Sequence, residues 1–146
     1  FPVKIKTFLL DLSKFILKLK EDSKMSKVVL VEDDELFVKM YQKKFVREGI
    51  DLDVAFNGED GFNKIKELKP DIVILDLMMP KMGGVEVLRK LSADSDLKDI
   101  PVIVMTNLNA GSEEVNEAMS LGVKETVLKT DVTPEQIVGI VRKYLT

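Results

Sequence analysis

Two stretches decide the fold: Ile72-Val73-Ile74-Leu75-Asp76, and Val28-Val29-Leu30-Val31 followed by Glu32-Asp33-Asp34. Each is an unbroken aliphatic run that ends in acid. A strand buried on both faces reads as continuous Val, Ile and Leu, whereas a half-exposed strand alternates. Open α/β sheets bind ligands outside the carboxyl ends of their strands. The two runs therefore predict buried parallel strands that deliver carboxylates to one end of a sheet.

Outward from these runs the pattern is strand, then helix, repeated. Lys27 to Val31 is a strand. Leu36 to Arg47 is a helix with Phe37, Met40, Tyr41 and Phe45 on one face. Asp51 to Phe56 alternates as an edge strand would, and Asn57-Gly58 reads as a turn. Phe62, Ile65 and Leu68 mark a helix that ends before Pro70. Ile72 to Leu75 is the third strand. Val85, Val87, Leu88 and Leu91 mark a helix entered through Gly83-Gly84. Val102 to Met105 is a strand, and Val115, Met119 and Leu121 mark a helix ended by Gly122. Thr126 to Leu128 is a short strand, and Thr133-Pro134 opens the last helix. Five strands alternating with helices predict an α/β, flavodoxin-like fold. Its sheet is parallel and doubly wound in the order 2-1-3-4-5. The switch point of that order falls between the first and third strands, where Glu32, Asp33 and Asp76 lie.

The 146 residues are enough for one domain, and 45% hydrophobic with 32% charged is a globular composition. The net charge of -3 disfavours direct nucleic-acid binding. The chain has no cysteine, so thiolate chemistry and disulfides are excluded, and no histidine, so an internal histidine base or ligand is excluded too. No stretch approaches the roughly 18 consecutive apolar residues of a transmembrane helix, and a cytoplasmic location is expected.

Residues 1–24 differ from the rest. Six lysines against three acids give them +3 in a chain whose net charge is -3. Ile5, Phe8, Leu12, Phe15 and Leu19 are spaced three and four apart, with Leu9 and Ile16 beside them. An amphipathic, basic N-terminal helix is expected, packed on this domain or on a second copy, with a membrane-surface helix as the alternative. Met25-Ser26-Lys27 reads as a natural start, so the division expected is 1–24 extension and 25–146 main domain.

Carboxylates crowded at one crevice repel each other, and a hard divalent cation such as Mg2+ relieves that repulsion. Two more strand ends face the same crevice. Thr106 brings a hydroxyl and Lys129 a positive charge. Mg2+, Thr106 and Lys129 around a carboxylate nucleophile are suited to making and breaking an aspartyl phosphate.

The set Glu32-Asp33, Asp76 with Met79-Pro80-Lys81-Met82-Gly83-Gly84, Thr106 and Lys129 resembles the receiver domain of two-component response regulators, from about Lys27 to Tyr144. The resemblance implies phosphotransfer to Asp76 from the phosphohistidine of a sensor histidine kinase or phosphotransfer protein. Of the two acidic pairs in Glu32-Asp33-Asp34 it favours Glu32-Asp33, which leaves Asp34 as the cap of the helix starting near Leu36. It implies Asp33 as the main Mg2+ ligand, Glu32 acting partly through water, and the backbone carbonyl of Met78 completing the protein ligands. It gives Thr106 and the residue three before the lysine, here Thr126, the switch and output positions. The family usually places an aromatic at Thr126, proline at Thr130 and a small residue at Asn107. The implied output is a downstream protein target bound through roughly residues 111–144, with dimerisation through that face or the N-terminal helix. Because the last helix ends the chain, a receiver without an attached effector is expected, or else a piece of a longer protein such as a hybrid kinase. Such a domain is a phosphoacceptor rather than an enzyme. The alternatives are a degenerate receiver that only binds proteins, which the intact acids oppose, and an aspartate-nucleophile phosphohydrolase. The latter needs a second Asp where this chain has Met78.

Overall fold

The computed structural model describes residues 2–22 and 27–145. Its elements, in chain order, are α1 (Pro2–Asp22), β1 (Lys27–Val31), α2 (Glu35–Arg47), β2 (Asp51–Ala55), α3 (Gly58–Leu68), β3 (Ile72–Leu75), α4 (Gly84–Ala93), β4 (Val102–Thr106), α5 (Glu113–Ser120), β5 (Glu125–Leu128) and α6 (Pro134–Arg142). The strands form one parallel sheet in the order β2-β1-β3-β4-β5. The α/β doubly wound, flavodoxin-like architecture expected from the sequence is the one observed.

The reason lies in which way the aliphatic side chains point. Successive strand residues face opposite sides of a sheet. Val29, Val31, Val73, Leu75, Val102 and Val104 pack with Ile65, Val87, Leu88, Leu91, Val115 and Ala118 of α3, α4 and α5. Val28, Leu30, Ile72, Ile74, Ile103 and Met105 pack with Val38, Tyr41, Phe45, Ile137, Val138 and Val141 of α2 and α6. Each central strand must therefore be apolar at every position, which is why β1 and β3 show no alternation.

Local signals set the helix ends. Asp34 caps α2 as expected, its Oδ1 accepting from the N–H groups of Leu36 and Phe37 at 3.0 and 3.1 Å. Thr133 and Gln136 form a reciprocal capping box at α6, with Pro134 in the first turn. Asn57-Gly58 is more than a turn. Asn57 Oδ1 accepts from the N–H of Asp60 at 2.8 Å, so Asn57 is the N-cap of α3. The alternation of β2 did not become an alternating burial pattern. Asp51, Leu52, Asp53 and Val54 are all half-buried, and the strand ends at Ala55, one residue early. This edge strand is partly covered on both faces, since α2 and α3 each pack against it.

The helix expected near the N-terminus forms, but every described side chain from Lys4 to Leu19 is exposed, so its apolar face does not pack on this domain. No helix among the described residues is long and apolar enough to cross a membrane. The Met25-Ser26 junction lies outside the described residues.

Candidate functional site

The parallel sheet brings four strand ends together. The N–H of Glu32 donates to the Ala55 carbonyl at 3.0 Å, and that of Asp76 to the Val31 carbonyl at 3.0 Å. The N–H of Lys129 donates to the Thr106 carbonyl at 2.9 Å. These bonds continue the ladders one residue past the strands, so the backbones of Glu32, Asp76 and Lys129 are fixed before any side-chain interaction is considered.

Glu32, Asp33 and Asp76 each offer a carboxylate oxygen, and these oxygens lie within 4.8 Å of one another. Glu32 and Asp76 are buried, at 1% and 5% exposure, whereas Asp33 is exposed. Charged side chains this buried require partners. Lys129 supplies one, with Nζ 3.0 Å from Asp76 Oδ2 and 2.5 Å from Glu32 Oε2. The contact with Asp76 is a hydrogen bond. The contact with Glu32 is a charge contact outside hydrogen-bond alignment, and Glu32 Oε2 is left buried without an aligned donor. The other oxygen, Glu32 Oε1, accepts from the N–H of Asp34 at 3.1 Å. Asp76 Oδ1 accepts from the N–H of Met78 at 3.2 Å.

The charges respond to this arrangement. Burial pushes the Glu32 carboxyl above its ordinary value, and the Asp76 charge adds to that shift, while Lys129 and the Asp34 N–H oppose it without cancelling it. For Lys129, burial pulls the pKa down, but contacts with Glu32 and Asp76 outweigh it and the net shift is upward. The ammonium therefore stays charged. The donor set is all oxygen, partly exposed at Asp33, and holds one buried acceptor with no aligned donor. That combination fits a hard divalent cation.

Thr106 ends β4 and is 1% exposed, with its Oγ1 accepting from the N–H of Leu108 at 3.3 Å. Thr126, half-buried on β5, lines with it a cavity of about 50 Å3 whose other walls include Leu108, Ala110 and Val115. Met78 is 57% exposed just past Asp76. The tight loop after β3 depends on Gly84, because a Cβ there would lie 2.3 Å from the Asp76 carbonyl oxygen and 2.7 Å from Leu77 Cα. No side chain could be accommodated so close to backbone.

One contributor was not singled out in the sequence. Phe37, readable there only as part of the apolar face of α2, places its ring 4.8 Å from Lys129 Nζ. No local signal reveals this, because the pairing exists only once β1 and β5 end on the same side of the sheet.

Comparison with known proteins agrees with this geometry. A model of the family described as response regulator receiver domain matches residues 28–142. The DNA-binding response regulator MtrA of Mycolicibacterium smegmatis is 32% identical over 126 residues, which is 85% of this chain and 52% of that protein. The phosphate regulon transcriptional regulatory protein PhoB of Rhizobium meliloti is 30% identical over 111 residues, 76% of this chain and 48% of that protein. The chain thus spans about half the length of these curated relatives. The solved receiver domain of Francisella response regulator 1452 superposes with a TM-score of 0.73 at 26% identity, covering 82% of this chain and 95% of that one. On the matched residues, the sheet order and the relatives together, this chain belongs to the family of response regulator receiver domains.

Proposed function

We propose that Asp76 is the phosphoacceptor of this receiver domain and that residues 25–146 form the unit that carries it, with 1–24 an extension. The observation that carries the reading is the Lys129 ammonium held 3.0 Å from Asp76 Oδ2 inside a three-carboxylate cluster at the C-terminal ends of β1 and β3. An Asp76 oxygen attacks the phosphorus of a donor phosphohistidine. The new P–O bond forms as the P–N bond breaks, and the electron pair returns to the donor's imidazole, which takes a proton from solvent. Lys129 is placed to pair with a phosphoryl oxygen, because its present partner is the attacking carboxylate. Thr106 reaches the phosphoryl group by turning its hydroxyl from the N–H of Leu108.

Glu32, Asp33 and Asp76, with the Met78 backbone carbonyl, would hold Mg2+ there. That ion, when bound, supplies positive charge against the developing charge of the transferred group. The partners are a sensor histidine kinase or phosphotransfer protein upstream and a protein target downstream, met through roughly residues 111–144, in the cytoplasm. Thr126 in this reading is a polar element of the output face. The DNA-binding capacity named for the MtrA relative is a property of that protein.

The test is intact mass after incubation with Mg2+ and acetyl phosphate. One added phosphoryl group, absent in Asp76→Asn and in EDTA, is expected. An unmodified wild-type chain overturns the reading.

A further inference from the structure

We infer that Phe37 is a positioning residue for Lys129, its ring holding the ammonium at the phosphoryl site when the carboxylates that now hold it are otherwise engaged; this rests on Asp76 as the phosphoacceptor. The ring centroid lies 4.8 Å from Lys129 Nζ, inside the range of about 6 Å over which a cation is attracted to an aromatic face. The ring itself is fixed. The Phe37 N–H donates to Asp34 Oδ1 at 3.1 Å, and the ring packs on that of Tyr41 with centroids 4.7 Å apart. Tyr41 is buried, at 1% exposure, so the stack is anchored in the core.

Lys129 loses partners as the site works. Its two charged partners, Glu32 and Asp76, are the oxygens that a divalent cation and a phosphoryl group would claim. When Asp76 becomes an acyl phosphate, the oxygen now 3.0 Å away changes its chemistry. The ring of Phe37 does not. It offers no oxygen to a metal and carries no charge to titrate. Among the described residues it is the partner of the ammonium that neither a metal nor a phosphoryl group would claim. A residue there for packing alone could be leucine. One that steers the ammonium must be aromatic.

The experiment compares the full chain with Phe37→Leu and Phe37→Tyr. The Lys129 ε-methylene proton shifts report the ring directly, the rate of phosphoryl uptake from acetyl phosphate at saturating Mg2+ reports the function, and the Mg2+ Kd reports the integrity of the acidic cluster. Upfield-shifted ε-methylene protons are expected in wild type and in Phe37→Tyr but not in Phe37→Leu. Uptake is expected to slow about tenfold in Phe37→Leu, the scale of a partly desolvated cation–ring contact, to recover in Phe37→Tyr, and to leave the Mg2+ Kd unchanged. Equal rates in Phe37→Leu and wild type overturn the positioning role alone, as does equal slowing in Phe37→Leu and Phe37→Tyr, or a Mg2+ Kd that weakens with the rate. A wild-type chain that accepts no phosphoryl group overturns the phosphoacceptor reading, and the positioning role falls with it.

Discussion

Lys129 holds its ammonium 3.0 Å from Asp76 Oδ2 across 53 positions of chain, and the same ammonium faces Glu32. A single cation thus offsets two carboxylates that are 1% and 5% exposed. Its removal leaves those two acids facing each other with no counter-charge. Lys129→Ala is expected to lower stability in metal-free buffer by about 2–3 kcal/mol, somewhat less than the loss of a fully enclosed pair because Asp33 opens the site to water. Phosphoryl uptake is expected to fall on the order of 100-fold, the scale of losing one preorganised charge contact. Urea denaturation and the acetyl phosphate mass assay measure the two effects separately. An unchanged urea midpoint would show that the pair contributes no net stability.

The pH dependence follows from Glu32. Its carboxyl is raised above 4.5, chiefly by burial and then by the Asp76 charge, so the folded state holds that proton more tightly than the unfolded chain does. The stability this contributes is fully present below pH 4.5 and is lost as the pH rises through the folded value. In EDTA, Glu32→Gln is expected to flatten that decline, with wild type losing ground relative to the variant between pH 4.5 and neutrality. Parallel urea midpoints across that range would contradict it. Lys129 is also raised, so its contribution is present below 10.5 and disappears as the pH climbs past its folded value.

Metal binding gives an independent readout. If the acid cluster holds Mg2+, adding the ion at a hundred times its Kd stabilises the fold by about 2.7 kcal/mol through mass action. Asp33→Asn is expected to abolish that gain. Asp33 is exposed, so the metal-free stability of the variant is expected to stay within about 0.5 kcal/mol of wild type. Thermal midpoints with and without Mg2+ decide the matter, and a full Mg2+ response in Asp33→Asn would remove Asp33 from the ligand set.

If Asp76 is the phosphoacceptor, the lifetime of its aspartyl phosphate depends on water reaching it. Met78 and Leu108 lie two residues beyond Asp76 and Thr106, Leu108 packed against the core and Met78 exposed, and both are expected to shield the group from an attacking water. The double variant Met78→Asn with Leu108→Glu is expected to lose its phosphoryl group severalfold faster. Following the loss of the added mass after removal of the donor measures it, and an unchanged half-life refutes the shielding role.

Much of this was readable before any coordinates, and the reason is specific. Val28 to Val31 and Ile72 to Leu75 had to be apolar throughout because helices cover both faces of the strands, and the acids that follow them mark the crevice. The Asp34 cap and the Thr133-Pro134 start are local chemistry, so they too were legible. What was not legible depends on packing between distant segments. The alternation in Asp51 to Phe56 promised one wet and one dry face, yet α2 and α3 each cover part of β2. The apolar spacing from Ile5 to Leu19 foretold a helix correctly, but periodicity cannot say whether a face finds a partner, and the described side chains from Lys4 to Leu19 are exposed. Phe37 over Lys129 is the same kind of fact, since neither residue carries any mark of the other.

Gly84 closes the loop after β3 against the backbone of Asp76. Gly84→Ala would push a methyl to 2.3 Å from the Asp76 carbonyl oxygen. It is expected to cost about 1–3 kcal/mol, readable as a lowered urea midpoint, and an unshifted midpoint would mean that the loop yields. The start of α4 is packed against the Asp76 backbone, so a movement of Asp76 toward that helix would meet backbone at once. On the same face of the sheet but toward β5, Thr106 and Thr126 line a cavity of about 50 Å3 beside α5. The loop after β3 is thus the anvil, and a displacement born at Asp76 is expected to run the other way, toward the cavity beside α5 and the outer edge of the sheet.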